Sequence, residues 1–151
     1  METIIGAAIA IVGSIAGSFL LDWLSGRRFQ RELKQERIRK LGGLAAELEE
    51  NSALKPSGPW RKFPFVTDVW EDAKPYLTGL GEEIEWKIRH AYVLVRSHNA
   101  LVDYDRSVIP YGRGDLDSII EDSTSRVIEA MQEALASLNP ALTTDGGTSA
   151  S

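Results

Sequence analysis

Two histidines and no cysteine bound the chemistry open to this 151-residue chain. A thiol nucleophile, an iron–sulfur cluster, a cysteine zinc site and a disulfide scaffold are all excluded. His90 and His98 stand eight residues apart, about 12 Å along a helix axis, too far to share one metal ion. Both therefore read as surface or core-edge polar residues. Gly79-Leu-Gly81 and Gly112-Arg-Gly114 are too short to cradle a phosphate, and no strand precedes either. Asp103, Asp105 and Arg106 read as a solvated cluster at a helix end. Arg113-Gly114-Asp115 spells an integrin-recognition tripeptide, which a cytoplasmic placement of the body makes a coincidence. The residue types thus assign no catalytic, cofactor-binding or metal-ligating position, and the expectation is a protein that is not an enzyme.

Five residues of the body remain as candidates for a partner contact or a polar contact in the core: Glu47, Asn51, Trp70, Tyr92 and Asn99. Asn99 falls on an otherwise apolar helical stripe, where an unpaired amide would cost about 1–3 kcal/mol, so it must be hydrogen-bonded. Tyr92, seven residues earlier, lies on nearly the same face. A polar contact that specifies the packing is the preferred reading, and a ligand contact the other. Glu47-Leu48-x-x-Asn51, Thr67-x-x-Trp70, Tyr92 and Asn99 together resemble a pattern in uncharacterised prokaryotic proteins that join one N-terminal membrane helix to a small helical cytoplasmic domain. The resemblance covers roughly residues 44–102 and implies an architecture, with no activity attached.

The elements that must position these residues are helical. Leu80, Ile84, Ile88, Ala91, Val95, Asn99 and Val102 step by three or four, the spacing of one helix face. Ile119 or Ile120, Val127, Met131, Ala134 or Leu135, and Leu138 form a second such stripe, with Asn139-Pro140 as its stop. Thr67 or Asp68 looks like an N-cap, and Asp68-x-x-Glu71 imitates a capping box for a short helix reaching Pro75 or Leu77. Gly42-Gly43 is a possible break in the helix before it. The predicted fold class is all-α, with one transmembrane helix (1–24) continuing into a basic juxtamembrane helix (25–54). A proline- and aromatic-containing loop (55–66), a helical body (67–139) of three or four helices in all, and a flexible tail (140–151) follow. The aromatics of the loop either fold onto the core or touch the membrane a second time.

Charge distribution gives this architecture a direction. The net charge is −5, yet Thr3 to Leu21 holds no charged side chain and Arg27 to Lys40 holds seven Lys/Arg against two Glu. That collar carries +5 and leaves −10 for the rest. Nineteen uncharged residues span roughly 28 Å as a helix, close to the hydrocarbon thickness of a bilayer. The positives follow the apolar run, whereas a cleavable signal peptide carries them before it. Basic residues beside a span stay on the cytoplasmic side, so the N-terminus is expected outside and the body inside the inner membrane.

Within the span, Gly6, Ala10, Gly13 and Gly17 recur at spacings of four, three and four, a small-residue stripe of the kind that lets membrane helices approach closely. It predicts a homo-oligomer. Arg27, Arg28, Arg31 and Lys34 are placed to meet anionic lipid headgroups. Nucleic acid is not expected as a partner, because the chain is acidic overall and no stacking aromatics alternate with these cations. The expected function is a self-associating membrane-anchored adaptor or scaffold for an unknown protein partner. The alternative is an oligomerising effector that perturbs the membrane, of the toxin or phage-defence type.

Overall fold

The computed structural model describes residues 2–54, 63–107 and 114–147, with side chains described for 23–54, 63–107 and 116–144. Every regular element among them is helical: α1 (Glu2–Ser52), α2 (Trp70–Ala73) running directly into a 3₁₀ turn (Lys74–Leu77), α3 (Glu82–Ser107) and α4 (Gly114–Gly147). The chain divides into two units, Met1–Glu36 and Arg37–Ser151. Among the described residues no helix is long and apolar enough to cross a membrane. The predicted span and its stripe of Gly6, Ala10, Gly13 and Gly17 lie outside the described side chains.

In the first unit Trp23, Leu24, Phe29 and Leu33 of α1 are exposed. The second unit carries the core. Leu41, Leu44, Ala45 and Leu48 of α1 meet Ile88, Ala91, Tyr92 and Val95 of α3 and Val127, Met131, Ala134 and Leu138 of α4 in one cluster. Each set recurs at helical spacing, which is why three separate stripes close on a single interior. Phe65, Trp70, Ala73 and Leu77 cap that interior from the connection between α1 and α3. The turn into α3 is made by Gly79 and Gly81, with φ of 93° and 98°, a left-handed backbone that other residues adopt only with strain. Ile120 rather than Ile119 faces inward on α4.

Two expected boundaries differ. α1 passes through Gly42-Gly43 without a break. A Cβ on Gly43 would come within 3.4 Å of Val69 Cγ1, so this glycine serves the close approach of the neighbouring segment rather than a turn. α4 does not stop at Asn139-Pro140 but continues to Gly147, so residues 140–147 of the expected tail are helical. Thr143 and Thr144 both donate their hydroxyls to the Pro140 carbonyl, at 2.8 and 2.9 Å, and Leu142 packs on the core. Proline costs this helix one N–H donor, and α4 continues beyond it with these contacts in its last turns.

A Cβ on Gly42 would meet nothing within 4 Å. Replacing a mid-helix glycine there removes backbone entropy from the unfolded chain, so Gly42→Ala is expected to stabilise by about 0.5–1 kcal/mol. Gly79→Ala, at positive φ, is expected to destabilise. Urea denaturation midpoints of the two variants measure both signs, and a destabilising Gly42→Ala would restore the break.

Candidate functional site

The non-helical segment between α1 and α2 needs partners for its backbone, because buried peptide groups without a ladder must find hydrogen bonds elsewhere. Two asparagines supply them. Asn51, buried near the end of α1, donates Nδ2–H to the Val66 carbonyl at 2.8 Å and accepts the Val66 N–H on Oδ1 at 3.1 Å. Asn99, half-buried on α3, does the same to Phe65, donating to its carbonyl at 3.0 Å and accepting its N–H at 2.8 Å. A side-chain amide matches a peptide group donor for acceptor, so each asparagine reads one residue of the segment as a neighbouring strand would.

Glu47, one helical turn before Asn51, completes the arrangement. Its side chain is buried, and Oε2 accepts the Val69 N–H at 2.8 Å while Oε1 accepts the hydroxyl of Tyr92 in a short hydrogen bond. Val69 is the N-cap residue of α2, and its side chain makes no capping hydrogen bond. The expected Asp68-x-x-Glu71 box is therefore not formed. Glu71 pairs with Arg96 at 2.9 Å instead, and a carboxylate 22 residues upstream holds the cap N–H in its place. Burial, with the Glu47 carboxylate beside it, pushes the Tyr92 phenol far above its ordinary value. Trp70 stacks on the Tyr92 ring, centroids 4.2 Å apart and planes within 13°.

Glu47, Asn51, Trp70, Tyr92 and Asn99 thus meet at one place, and the polar groups among them bind the chain's own segment 65–69. His98 belongs to the same neighbourhood. It is fully buried, its ring lies edge-on to Phe65 at 4.9 Å, Nδ1 is 3.2 Å from the Ser123 hydroxyl, and Nε2 has no hydrogen-bond partner. Burial lowers its pKa from 6.5, opposed by the Phe63 backbone. The core-edge expectation for His98 missed this, although a position three after Val95 and four before Val102 is an inward one. His90 is exposed and stacked on Trp86. Of the loop aromatics, Phe65 is buried and Phe63 exposed, while Trp60 lies outside the described residues.

In the first unit Arg27, Arg28 and Arg31 are exposed and Lys34 half-buried. The Arg27 guanidinium sits 3.9 Å over the Trp23 ring, and a shallow, open depression follows Trp23, Gly26, Arg27, Gln30 and Arg31 along one helix face. Among the described residues, no group of three or more His, Asp or Glu is placed to hold a metal ion. No protein-family model matches the chain, and neither a curated protein nor a solved structure matches it significantly.

Two outcomes follow from this geometry. Tyr92→Phe keeps the stack on Trp70 but leaves one Glu47 oxygen buried without its donor, at an expected cost of about 1–3 kcal/mol in urea denaturation. For His98, a folded-state pKa below 6.5 means that the unfolded chain binds more protons, so stability falls as pH drops below about that value. Asp72 and Glu83, hydrogen-bonded to Lys40 and Lys87, are held below ordinary values of 3.8 and 4.5 and lose their contribution only at lower pH. The unfolding midpoint is thus expected to fall between pH 7.5 and 5.5 in the native chain and to change much less in His98→Gln. Equal slopes in the two proteins would remove His98 as the source.

Proposed function

We propose that this chain is a self-associating, single-pass membrane adaptor or scaffold, without enzymatic activity, whose N-terminus lies outside the inner membrane and whose helical body lies in the cytoplasm. The observation that carries this reading is the junction in the sequence. Nineteen residues without a charge are followed, after Trp23, by seven Lys/Arg among fourteen, the order in which a span is retained with its following segment inside.

The collar suits a headgroup layer. Leu24, Phe29 and Leu33 alternate with cations on an exposed helix, and long basic side chains can place their heads among phosphates while their stems cover apolar surface. Arg27, Arg28, Arg31 and Lys34 would each gain about 1 kcal/mol near an anionic surface. In the body, the polar residues best suited to recognition hold segment 65–69, which leaves partner contacts to outward-facing residues. A second reading, the membrane-perturbing effector, is favoured by the nine Gly, Ala and Ser among residues 3–21, a content that permits close multi-helix packing.

Fractionation tests the anchor: the full chain is expected in the membrane pellet after alkaline carbonate extraction, and recovery in the supernatant overturns it. Gly13→Ile with Gly17→Ile is expected to weaken self-association in a membrane reporter assay. A voltage-sensitive dye separates the two functions, because expression of an adaptor leaves the membrane potential intact and an effector collapses it.

A further inference from the structure

The arginines of the collar differ from the cations of the body in what faces them. In the body Lys40, Lys74, Lys87, Arg89, Arg96 and Arg126 each stand within ion-pair distance of an Asp or Glu. Arg27 and Arg31 are exposed and have no carboxylate partner among the described residues. By the 100° step of a helix, Trp23, Gly26, Arg27, Gln30 and Arg31 share an arc of about 140°. Positions 22, 32 and 36, where the sequence has Asp, Glu and Glu, stand more than about 100° from the centre of that arc. This sector of the collar is therefore open to an anion that the chain itself does not supply.

The sector is shaped as well as charged. The Arg27 guanidinium lies 3.9 Å over the Trp23 ring, and the attraction of a cation for an aromatic face holds it there without using its N–H donors. A depression runs along Trp23, Gly26, Arg27, Gln30 and Arg31. It is open at Gly26, where an added Cβ would meet nothing within 4 Å. Neither a neighbouring segment nor a positive φ calls for glycine at this position, and a glycine inside a helix weakens it relative to alanine. What the missing side chain provides is room beside Trp23 and Gln30.

We infer that Trp23, Gly26, Arg27, Gln30 and Arg31 seat the headgroup of one anionic phospholipid, of the class that carries a single phosphodiester and a hydroxylated, ammonium-free headgroup. The inference rests on the membrane anchor proposed above and turns a general attraction of the collar into a defined site. Arg27 and Arg31 are four residues apart, about 6 Å along the axis, so both guanidinium forks can reach one phosphate, whose oxygens they match in pairs. Gln30 adds an amide that accepts a headgroup hydroxyl on its carbonyl and donates through its nitrogen. An ammonium in the same place would face two cations, and Arg27 already covers the one aromatic face that could receive it. A lipid rather than a soluble phosphate ester fits because Trp23 and Leu24, 53% and 43% exposed, adjoin the site. Trp23 follows the uncharged run by one residue, and an indole is suited to the level where headgroups meet acyl chains.

Native mass spectrometry of the full chain in detergent, titrated with dioleoyl phosphatidylglycerol, phosphatidylethanolamine or phosphatidylcholine, counts bound lipids one at a time. One phosphatidylglycerol per chain is expected to bind about tenfold more tightly than either of the other two lipids. Arg27→Gln, and Gly26→Leu, which fills the depression without changing charge, are each expected to weaken that binding about fivefold. Arg28→Gln removes the same charge from a position about 130° round the helix from the centre of the site and is expected to leave the affinity nearly unchanged. Equal losses at Arg27 and Arg28, or full affinity in Gly26→Leu, overturn the seat and leave a diffuse basic surface. Displacement of the lipid by soluble glycerol phosphate overturns a lipid as the occupant. Alkaline carbonate extraction of the same chains separates this failure from that of the anchor: a pelleted chain without lipid selectivity overturns the seat alone, and a chain released to the supernatant overturns the anchor and the seat with it.

Discussion

A buried carboxylate shared between two donors is the constraint around which the body is arranged. Glu47 has lost its water, and an ion in that position is tolerable only when hydrogen bonds replace hydration. The donors come from different elements, the Val69 N–H at the start of α2 and the Tyr92 hydroxyl on α3. Satisfying Glu47 therefore fixes α1, the connection and α3 at once. The apolar contacts of the core are less selective, because burial is favourable in many arrangements of similar stripes. A carboxylate that must find two particular donors is not, and its loss of either one is felt as an unpaired polar group in a low-dielectric interior.

The two asparagines extend the same logic along the connection. Segment 65–69 is neither helix nor sheet, yet Phe65 is buried and its backbone has to be paired. Asn51 from one side and Asn99 from the other each satisfy both polar groups of one peptide residue. With Phe65 thus held, its ring covers His98, and the chain arrives at Val69 in position for Glu47. Gly43 contributes by having no side chain where Val69 comes closest. These are contacts of a backbone segment threaded between helices, and each depends on the one before it.

That dependence explains what could be read from the sequence. The stripes of α3 and α4 are periodic, so Ile88, Ala91, Val95, Val127, Met131 and Leu138 are found inward as their spacing requires. Asn99 was recognisable as a residue needing a partner because it interrupts such a stripe. Which partner it takes was not legible, since the answer is a backbone group 34 residues away. The false capping box has the same origin. Asp68 and Glu71 have the local spacing, but Arg96 competes for Glu71 and Glu47 for the cap N–H, and neither competitor is visible in a four-residue window. Pro140 stops a helix by local rule, but a local rule omits the packing of Leu142 on the core beyond it.

Turning the polar residues inward also decides what the surface can do. Glu47, Asn51, Tyr92 and Asn99 would be the natural recognition groups on a face, yet each is engaged by its own chain. Along Trp86, Val93 and Tyr104 the outward face of α3 is aromatic and aliphatic, with the ion pairs of Lys87, Arg89 and Arg96 beside it. A face of that kind gains little from long-range attraction and much from close fit, so it favours a neighbour that is already near and correctly oriented.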